Sequence, residues 1–312
     1  MNFSLPIILT LGLSFLVALS TYPALIWGLR RLKLGQVIQP ELSAEHQKKA
    51  GIPTGGGILF VLLGIIAGLA SLRVHSGALP ATVALLLFGL LGLVDDLAKL
   101  KLSQVGIPAR LKLPLQVLAS IPVVFLAHTT QHWLPGSIEW VYWPLGVLAV
   151  VGAVNGVNFS DGLDGLCASL VVIALGGLAF LLPGSSSGEV AVALTLIGGL
   201  FAFLIYNRHP ARLIMGDTGA LGVGAALAAM ALQQGWVILL LLLGSVFVVE
   251  VLSVILQVGW FKLSGGKRFF PMTPLHFSFQ LRGWSEPRIV MLFGVVQLVV
   301  TLASGLIARR WP

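Results

Sequence analysis

Charge is what this sequence holds least of: lysine, arginine, aspartate and glutamate make up 10% of 312 residues, against 57% hydrophobic. Soluble domains run at about 25% charged and 45–50% apolar, so a chain of this balance reads as an integral membrane protein. Cysteine is almost absent. With Cys167 alone, an internal disulfide and a thiolate zinc cluster are both excluded. No lysine or arginine precedes the first apolar run, which is too long for a signal-peptide core and lacks a cleavage site, so it is expected to stay as a helix. The glycine clusters lack what the common nucleotide loops need. Gly51-Ile-Pro-Thr-Gly-Gly-Gly57 is not followed by a lysine, and no βαβ unit precedes Gly219, Gly222 and Gly224, which fit close helix packing instead. The net charge of +8 suits anionic lipid headgroups, and nucleic acid is not an expected partner.

What the sequence has in abundance is apolar length. Ten runs, roughly 4–29, 55–73, 78–95, 112–128, 140–157, 163–182, 189–206, 217–233, 236–260 and 288–308, approach or exceed the ~20 residues that a spanning helix requires. Only helices satisfy the backbone of such runs inside lipid. The fold class is therefore all-α integral membrane, about ten transmembrane helices in a single polytopic domain over residues 1–312, with no tandem repeat or linker. Counting loop charges orients it. The first, third, seventh and ninth loops carry sixteen of the nineteen basic residues, among them Arg30, Lys49, Lys99, Lys112, Arg208 and Lys267, and only Arg73, Arg309 and Arg310 fall opposite. The positive-inside rule makes the odd loops cytoplasmic and puts both termini outside. The outer loops, such as 184–188 and 233–235, are too short for a folded domain, so the chemistry is expected on the inner face of a cell membrane.

All five aspartates, Asp95, Asp96, Asp161, Asp164 and Asp217, map to that face. Carboxylates beside apolar segments are costly unless paired, hydrated or bound to a cation, which makes them candidates for function. Asp161 and Asp217 each precede an apolar run and can equally serve as helix caps. Asp95 and Asp96 are adjacent at the expected C-terminal end of a helix, where the dipole disfavours negative charge and a cation is wanted. Oxygen donors without histidine or cysteine nearby point to magnesium or manganese. Lys99 returns to the same helical face and offers charge to a phosphate, or a plain salt bridge. Asn155-Gly-Val-Asn158-Phe-Ser-Asp161-Gly162-Leu163-Asp164-Gly-Leu166 is dense in groups able to bind metal or ribose, while lacking the spacing of a calcium loop. Asp217 sits at an expected helix start, where free amides favour phosphate. Glu250 lies inside the ninth run with Ser253 and Gln257 at helical spacing, which fits either a hydrogen-bonded residue between helices or one facing a lipid groove.

Taken in order, Lys49…Pro53-Thr54-Gly-Gly-Gly, Val94-Asp95-Asp96-Leu-Ala-Lys99, Asn158…Asp161-Gly-Leu-Asp164-Gly and Asn207…Met215-Gly-Asp217 resemble the motifs of the polyprenyl-phosphate sugar-1-phosphate transferases. The resemblance runs from about residue 48 to 288. Within that family Phe270-Pro-Met-Thr-Pro-Leu-His276 to Trp284-Ser-Glu286 is similar to the loop of the branch that uses UDP-N-acetylmuramoyl-pentapeptide. It departs at Phe277 and Ser278, where histidines are usual, and at Ala220, where a serine is usual. The resemblance implies ten helices, a homodimer, Mg2+, and transfer of a phospho-sugar to undecaprenyl phosphate with release of UMP, in peptidoglycan synthesis. It implies Asp217 and Asp161 as metal ligands, and Asp95, Asp96, Lys99 and His276 as catalytic groups. Lys49, Thr54, Lys112, Asn158, Gly162, Leu163, Asp164 and Asn207 would bind substrate, with Gly162, Leu163 and Asp164 at the uridine. His276 can alternatively tether its loop. Direct attack by the lipid phosphate and a two-step route through an aspartyl phosphate both fit. The competing readings are a sister enzyme that transfers N-acetylglucosamine-1-phosphate and, more remotely, an ion-coupled transporter, whose carboxylates would lie near the midplane in paired repeats.

Overall fold

The computed structural model describes residues 5–32, 35, 49, 51–73, 76–101, 106–129, 136–182 and 188–308. Among the described residues there are twelve α-helices and no strand, only isolated bridges between Gly35 and Pro53 and between Thr54 and Ile214. The helices are α1 (Leu5–Arg31), α2 (Gly57–Ser71), α3 (Leu79–Lys101), α4 (Ala109–His128), α5 (Tyr142–Phe159), α6 (Leu166–Leu181), α7 (Gly188–Asn207), α8 (Gly216–Gln233), α9 (Val237–Leu243), α10 (Ser245–Leu263), α11 (Leu275–Leu281) and α12 (Glu286–Ala308). Seven segments, those of α1, α3, α4, α5, α7, α10 and α12, are long and apolar enough to cross a membrane, and α2 and α6 are shorter apolar helices. The chain is an all-α integral membrane protein. Lys33, Lys48, Arg309 and Arg310, counted in the loop charges, lie outside the described residues, as do residues 184–187 of an expected outer loop.

The architecture is organised around α8. Every residue of α8 is buried, beneath α3 and α5 with α2 and α4 alongside. Its sequence is mostly glycine and alanine, and that is what lets so many helices reach it, because small residues allow backbones to approach closely. A Cβ on Gly57 of α2 would lie 2.2 Å from the Gly219 Cα. One on Gly92 of α3 would lie 2.3 Å from the Asp217 carbonyl oxygen. Larger side chains there would drive apart the helices that carry the aspartates. The outer helices present the opposite character: Leu13, Leu118, Ile255 and Leu302 are exposed, apolar faces suited to acyl chains.

Two helices depart from the boundaries that the sequence suggests. The third run ends as a helix at Lys101 rather than at about residue 95, so Asp95 and Asp96 lie inside α3. The Asp95–Lys99 pair, spaced i,i+4 at 2.9 Å, supports the extra turns. The ninth run is broken at Gly244, between α9 and α10. Gly-Ser pairs are common points for such breaks. A break in an apolar segment frees backbone groups that need other partners, and Gln297 of α12 serves them. Its Oε1 accepts from the Val246 N–H at 3.0 Å, and its Nε2 donates to the Leu243 carbonyl. Gln297→Leu is therefore expected to lower the unfolding midpoint in detergent, by about 1–3 kcal/mol for each stranded group. An unchanged midpoint would show that Gln297 does not support the break.

Candidate active site

One end of the bundle collects the C-terminal parts of α3 and α5 and the starts of α4, α8 and α12. There four of the sequence motifs meet around Asp217, in the first turn of α8. Lys99 Nζ lies 2.9 Å from one Asp217 oxygen, and Lys112 of α4 contacts the other. Asn158, at the end of α5, donates to Asp217 Oδ1 at 3.1 Å. Both lysines also face Asp95 Oδ2, at 2.9 Å and 3.4 Å, while Asp95 Oδ1 accepts from the Ile107 amide. Two carboxylates and two ammonium groups thus alternate in one buried-to-half-buried patch. Such a patch is close to neutral, so anionic oxygens of a substrate would compete with Asp95 and Asp217 for the two ammonium groups.

Asp96 does something different. Its Oδ1 accepts from the Asp217 N–H at 2.9 Å, and its Oδ2 accepts from the Thr218 N–H at 3.0 Å and the Thr218 hydroxyl at 2.8 Å. A carboxylate from α3 therefore caps the N-terminus of α8, where the free amides and the dipole favour negative charge. Gly216, with φ +79°, leads into this turn, and a Cβ there would lie 2.9 Å from Asp96 Oδ2 and 3.1 Å from Thr54 Oγ1. Only glycine fits. The Gly216 N–H donates to Asp161 Oδ2 at 3.3 Å. Removal from water and the charge of Asp217 push the Asp161 carboxyl well above its usual range, against the pull of that amide.

The turn from Asp161 to Gly165, between α5 and α6, reaches two further groups. On one side Asp164 is bound up in a buried network. Lys49 Nζ lies 2.7 Å from its Oδ1, and the Ala211 N–H and His209 Nδ1 lie 2.9 Å and 3.0 Å from its Oδ2. Glu286, the first residue of α12, accepts from Lys49 at 2.8 Å and from the Asp164 N–H at 3.0 Å. Asn207 is committed to backbone, accepting from Gly165 N–H and donating to the Leu213 carbonyl. Leu163 is buried in the core. Of this turn, Asp161 and Gly162 are half-buried and Leu163, Asp164 and Gly165 are buried. On the other side, a Cβ on Gly162 would lie 2.4 Å from His276 Nε2, so imidazole and turn are in direct contact.

His276, in the short helix α11, is fully buried, with its ring tilted 53° against that of Phe277. Its Nδ1 lies 3.1 Å from Glu250 Oε1, and Glu250 also accepts the Leu275 and His276 amides, at 2.6 Å and 3.3 Å. Glu250 of α10 therefore caps α11 and selects the imidazole tautomer that carries its proton on Nδ1. Among the described residues Nε2 has no hydrogen-bond partner, and it faces the Gly162 turn. Ser278, one of the departures from the family pattern, hydrogen-bonds to the Met272 backbone and closes the loop on itself.

The structure thus gathers Asp95, Asp96, Lys99, Lys112, Asn158, Asp161 and Asp217 into one group, with Thr54 beside Gly216. Lys49, Asp164 and Asn207 fall into the adjoining network, and His276 into a third. The sequence reading gave no role in the site to Glu250 or Glu286. Their signals were single carboxylates beside or inside apolar runs. Among the described residues, a group of three side chains spaced to hold a metal ion is Asp164, His209 and Glu286. Lys49 already bridges its two carboxylates, so that group reads as an ion network.

Comparison with known proteins bears on the same residues. The model of glycosyl transferase family 4 matches residues 78–235. The chain is 39% identical over 313 residues to a phospho-N-acetylmuramoyl-pentapeptide-transferase of Halalkalibacterium halodurans, covering 96% of each. It is 42% identical over 311 residues to one of Carboxydothermus hydrogenoformans, covering 94% of this chain and 95% of the relative. With one of Bacillus subtilis it shares 38% over 320 residues, 98% of each.

Proposed function

The chain belongs to glycosyl transferase family 4, together with the phospho-N-acetylmuramoyl-pentapeptide transferases that it matches over nearly its whole length, and on that footing we propose the reaction of its site. It transfers phospho-N-acetylmuramoyl-pentapeptide from UDP-N-acetylmuramoyl-pentapeptide to undecaprenyl phosphate. The products are an undecaprenyl-diphosphate-linked sugar pentapeptide and UMP. The observation that carries this reading is the meeting of Asp95, Lys99, Lys112, Asn158 and Asp217, from four helices, at one end of α8.

An oxygen of the lipid phosphate attacks the β-phosphorus of the nucleotide, the bond from that phosphorus to the bridging oxygen breaks, and UMP departs with the electron pair. Two polyanions must come together for this, so charge neutralisation and positioning dominate the catalysis. Lys99 and Lys112 supply ammonium groups already held at the meeting point by Asp95 and Asp217. Asp95 takes the proton of a singly ionised lipid phosphate and keeps it oriented for attack. Asp96 fixes the turn that carries Asp217. The Gly162 backbone, braced by His276, receives the uridine end.

Mg2+ is the proposed cofactor, held by Asp217 and Asp161, and when bound it neutralises diphosphate charge. The donor types suit it, carboxylate oxygens with the Asn158 amide oxygen beside them, and magnesium commonly uses one or two carboxylates beside substrate phosphates; in this structure Lys99 and Lys112 hold the Asp217 oxygens that the ion would take. Ten spans, with α9 and α10 counted as one, both termini outside, a cytoplasmic active site and a homodimer belong to the same proposal. The loop charges support its orientation.

Supplying purified protein with undecaprenyl phosphate and radiolabelled UDP-sugars tests the reading. Label is expected in the lipid fraction from UDP-N-acetylmuramoyl-pentapeptide and not from UDP-N-acetylglucosamine. The reverse pattern would assign the protein to the N-acetylglucosamine-1-phosphate reaction instead.

A further inference from the structure

Resting on that functional reading, we propose that Glu286 is a positioning residue for the nucleotide half of the site, acting through Lys49 and the Asp161–Gly165 turn. Its carboxylate is 1% exposed and opens α12, where a helix N-terminus favours an anion. One oxygen, Oε2, draws two elements to a single point: the Lys49 ammonium at 2.8 Å and the Asp164 N–H at 3.0 Å. Lys49 in turn holds the Asp164 side chain at 2.7 Å. The turn is therefore gripped at its side chain and at its backbone by the same pair of residues. It is also held at the Asp164 side chain by His209 and the Ala211 N–H, at the Gly165 N–H by Asn207, at the Asp161 carboxylate by the Gly216 N–H, and at Gly162 against His276.

Burying two carboxylates around one ammonium is an expensive way to join helices, since apolar packing of similar volume often does as well. What the ionic arrangement adds is direction: the Asp164 amide and the Lys49 amine are each fixed by a bond of defined geometry. Withdrawing Glu286 leaves Lys49 paired to Asp164, so the fold loses one anchor, whereas the turn loses its register against α12. The reacting phosphates meet at Asp217, on the other flank of the turn. The expected signature is thus weakened nucleotide capture with chemistry at saturation largely preserved.

The experiment uses full-length Glu286→Ala and Glu286→Gln protein in detergent. Glu286→Ala should raise KM for UDP-N-acetylmuramoyl-pentapeptide about tenfold or more, with kcat and the KM for undecaprenyl phosphate within about threefold of the parent. Glu286→Gln, which keeps an acceptor for the Asp164 amide, should show a smaller rise. In a Lys49→Met background, Glu286→Ala should add less than about twofold, because the two residues act as one unit. Amide hydrogen exchange at residues 162–165 should quicken while that at Asp217 and Thr218 stays put. Loss of kcat with unchanged nucleotide KM, or additive effects with Lys49→Met, would overturn the proposal. So would unaltered exchange in the turn, a readout that needs no turnover. A parent protein that releases no UMP sinks the functional reading, and the exchange arm still decides whether Glu286 holds the turn. Should Glu286→Ala not fold, an unchanged nucleotide KM in Glu286→Gln overturns the proposal.

Discussion

Asp217→Asn protein is expected to elute as folded, monodisperse material in detergent and to release UMP at least about a thousandfold more slowly than the parent, the upper range for loss of one preorganised electrostatic group. The fold should survive because asparagine is isosteric and the Asp217 amide, not its side chain, makes the bond to Asp96. The chemistry should not. Lys99 and Lys112 both rest on the Asp217 carboxylate, and replacing it leaves the two ammonium groups sharing Asp95, with Asp96 3.9 Å from Lys99. It also removes the proposed magnesium ligand. Raising the magnesium concentration should recover little, because the charge that would attract the ion has gone. Turnover within about tenfold of the parent would defeat the assignment of Asp217 to the reacting phosphates, since a lost charge-assisted contact is worth more than that.

Asp96→Ala carries the second large expectation, with a different signature. Three donors lose their acceptor at once: the Asp217 and Thr218 amides and the Thr218 hydroxyl. Each buried unsatisfied donor costs about 1–3 kcal/mol, so the unfolding midpoint should drop clearly. Activity should fall about a hundredfold, the scale set by an ångström of misplacement in a reacting group. Asp96→Asn keeps one acceptor oxygen and should lie between alanine and the parent on both counts. Thr218→Val removes only the hydroxyl and should do least. An unchanged midpoint with a raised KM for undecaprenyl phosphate alone would instead make Asp96 a direct ligand of the lipid phosphate.

Much of this was legible in the chain. The apolar runs marked where the helices lie, because length and hydropathy are local properties. Gly219, Gly222 and Gly224 were legible as packing residues and are found with neighbouring helices within contact of their backbones. The clustering of aspartates at one end of the bundle followed from loop charge. Pairing was less accessible. Lys49 and Glu286 are 237 residues apart, and a single sequence has no term that joins them. The cap that Asp96 provides was hidden for the same reason: its partners follow it by 121 and 122 residues. Asp95 and Asp96 were expected at the end of a helix because charge normally stops an apolar run. In the fold, ammonium groups from α3 and α4 offset that charge and the helix continues. Asp164 shows the limit most clearly. Its motif suggests a ligand contact, yet its side chain is shared among Lys49, His209 and the Ala211 amide, which only a folded structure can display.

The interruption at Gly244 has a mechanical side. Because α10 starts afresh there, the height and azimuth of Glu250 are counted from Ser245 and not from the first residue of α9. A residue inserted into α9 can be absorbed at the elbow. The same insertion between Gly244 and Glu250 would swing the carboxylate by roughly 100° about the helix axis and carry it away from the amides of Leu275 and His276. The elbow thus isolates the imidazole loop from length changes in α9, whereas the few residues between it and Glu250 must keep their register.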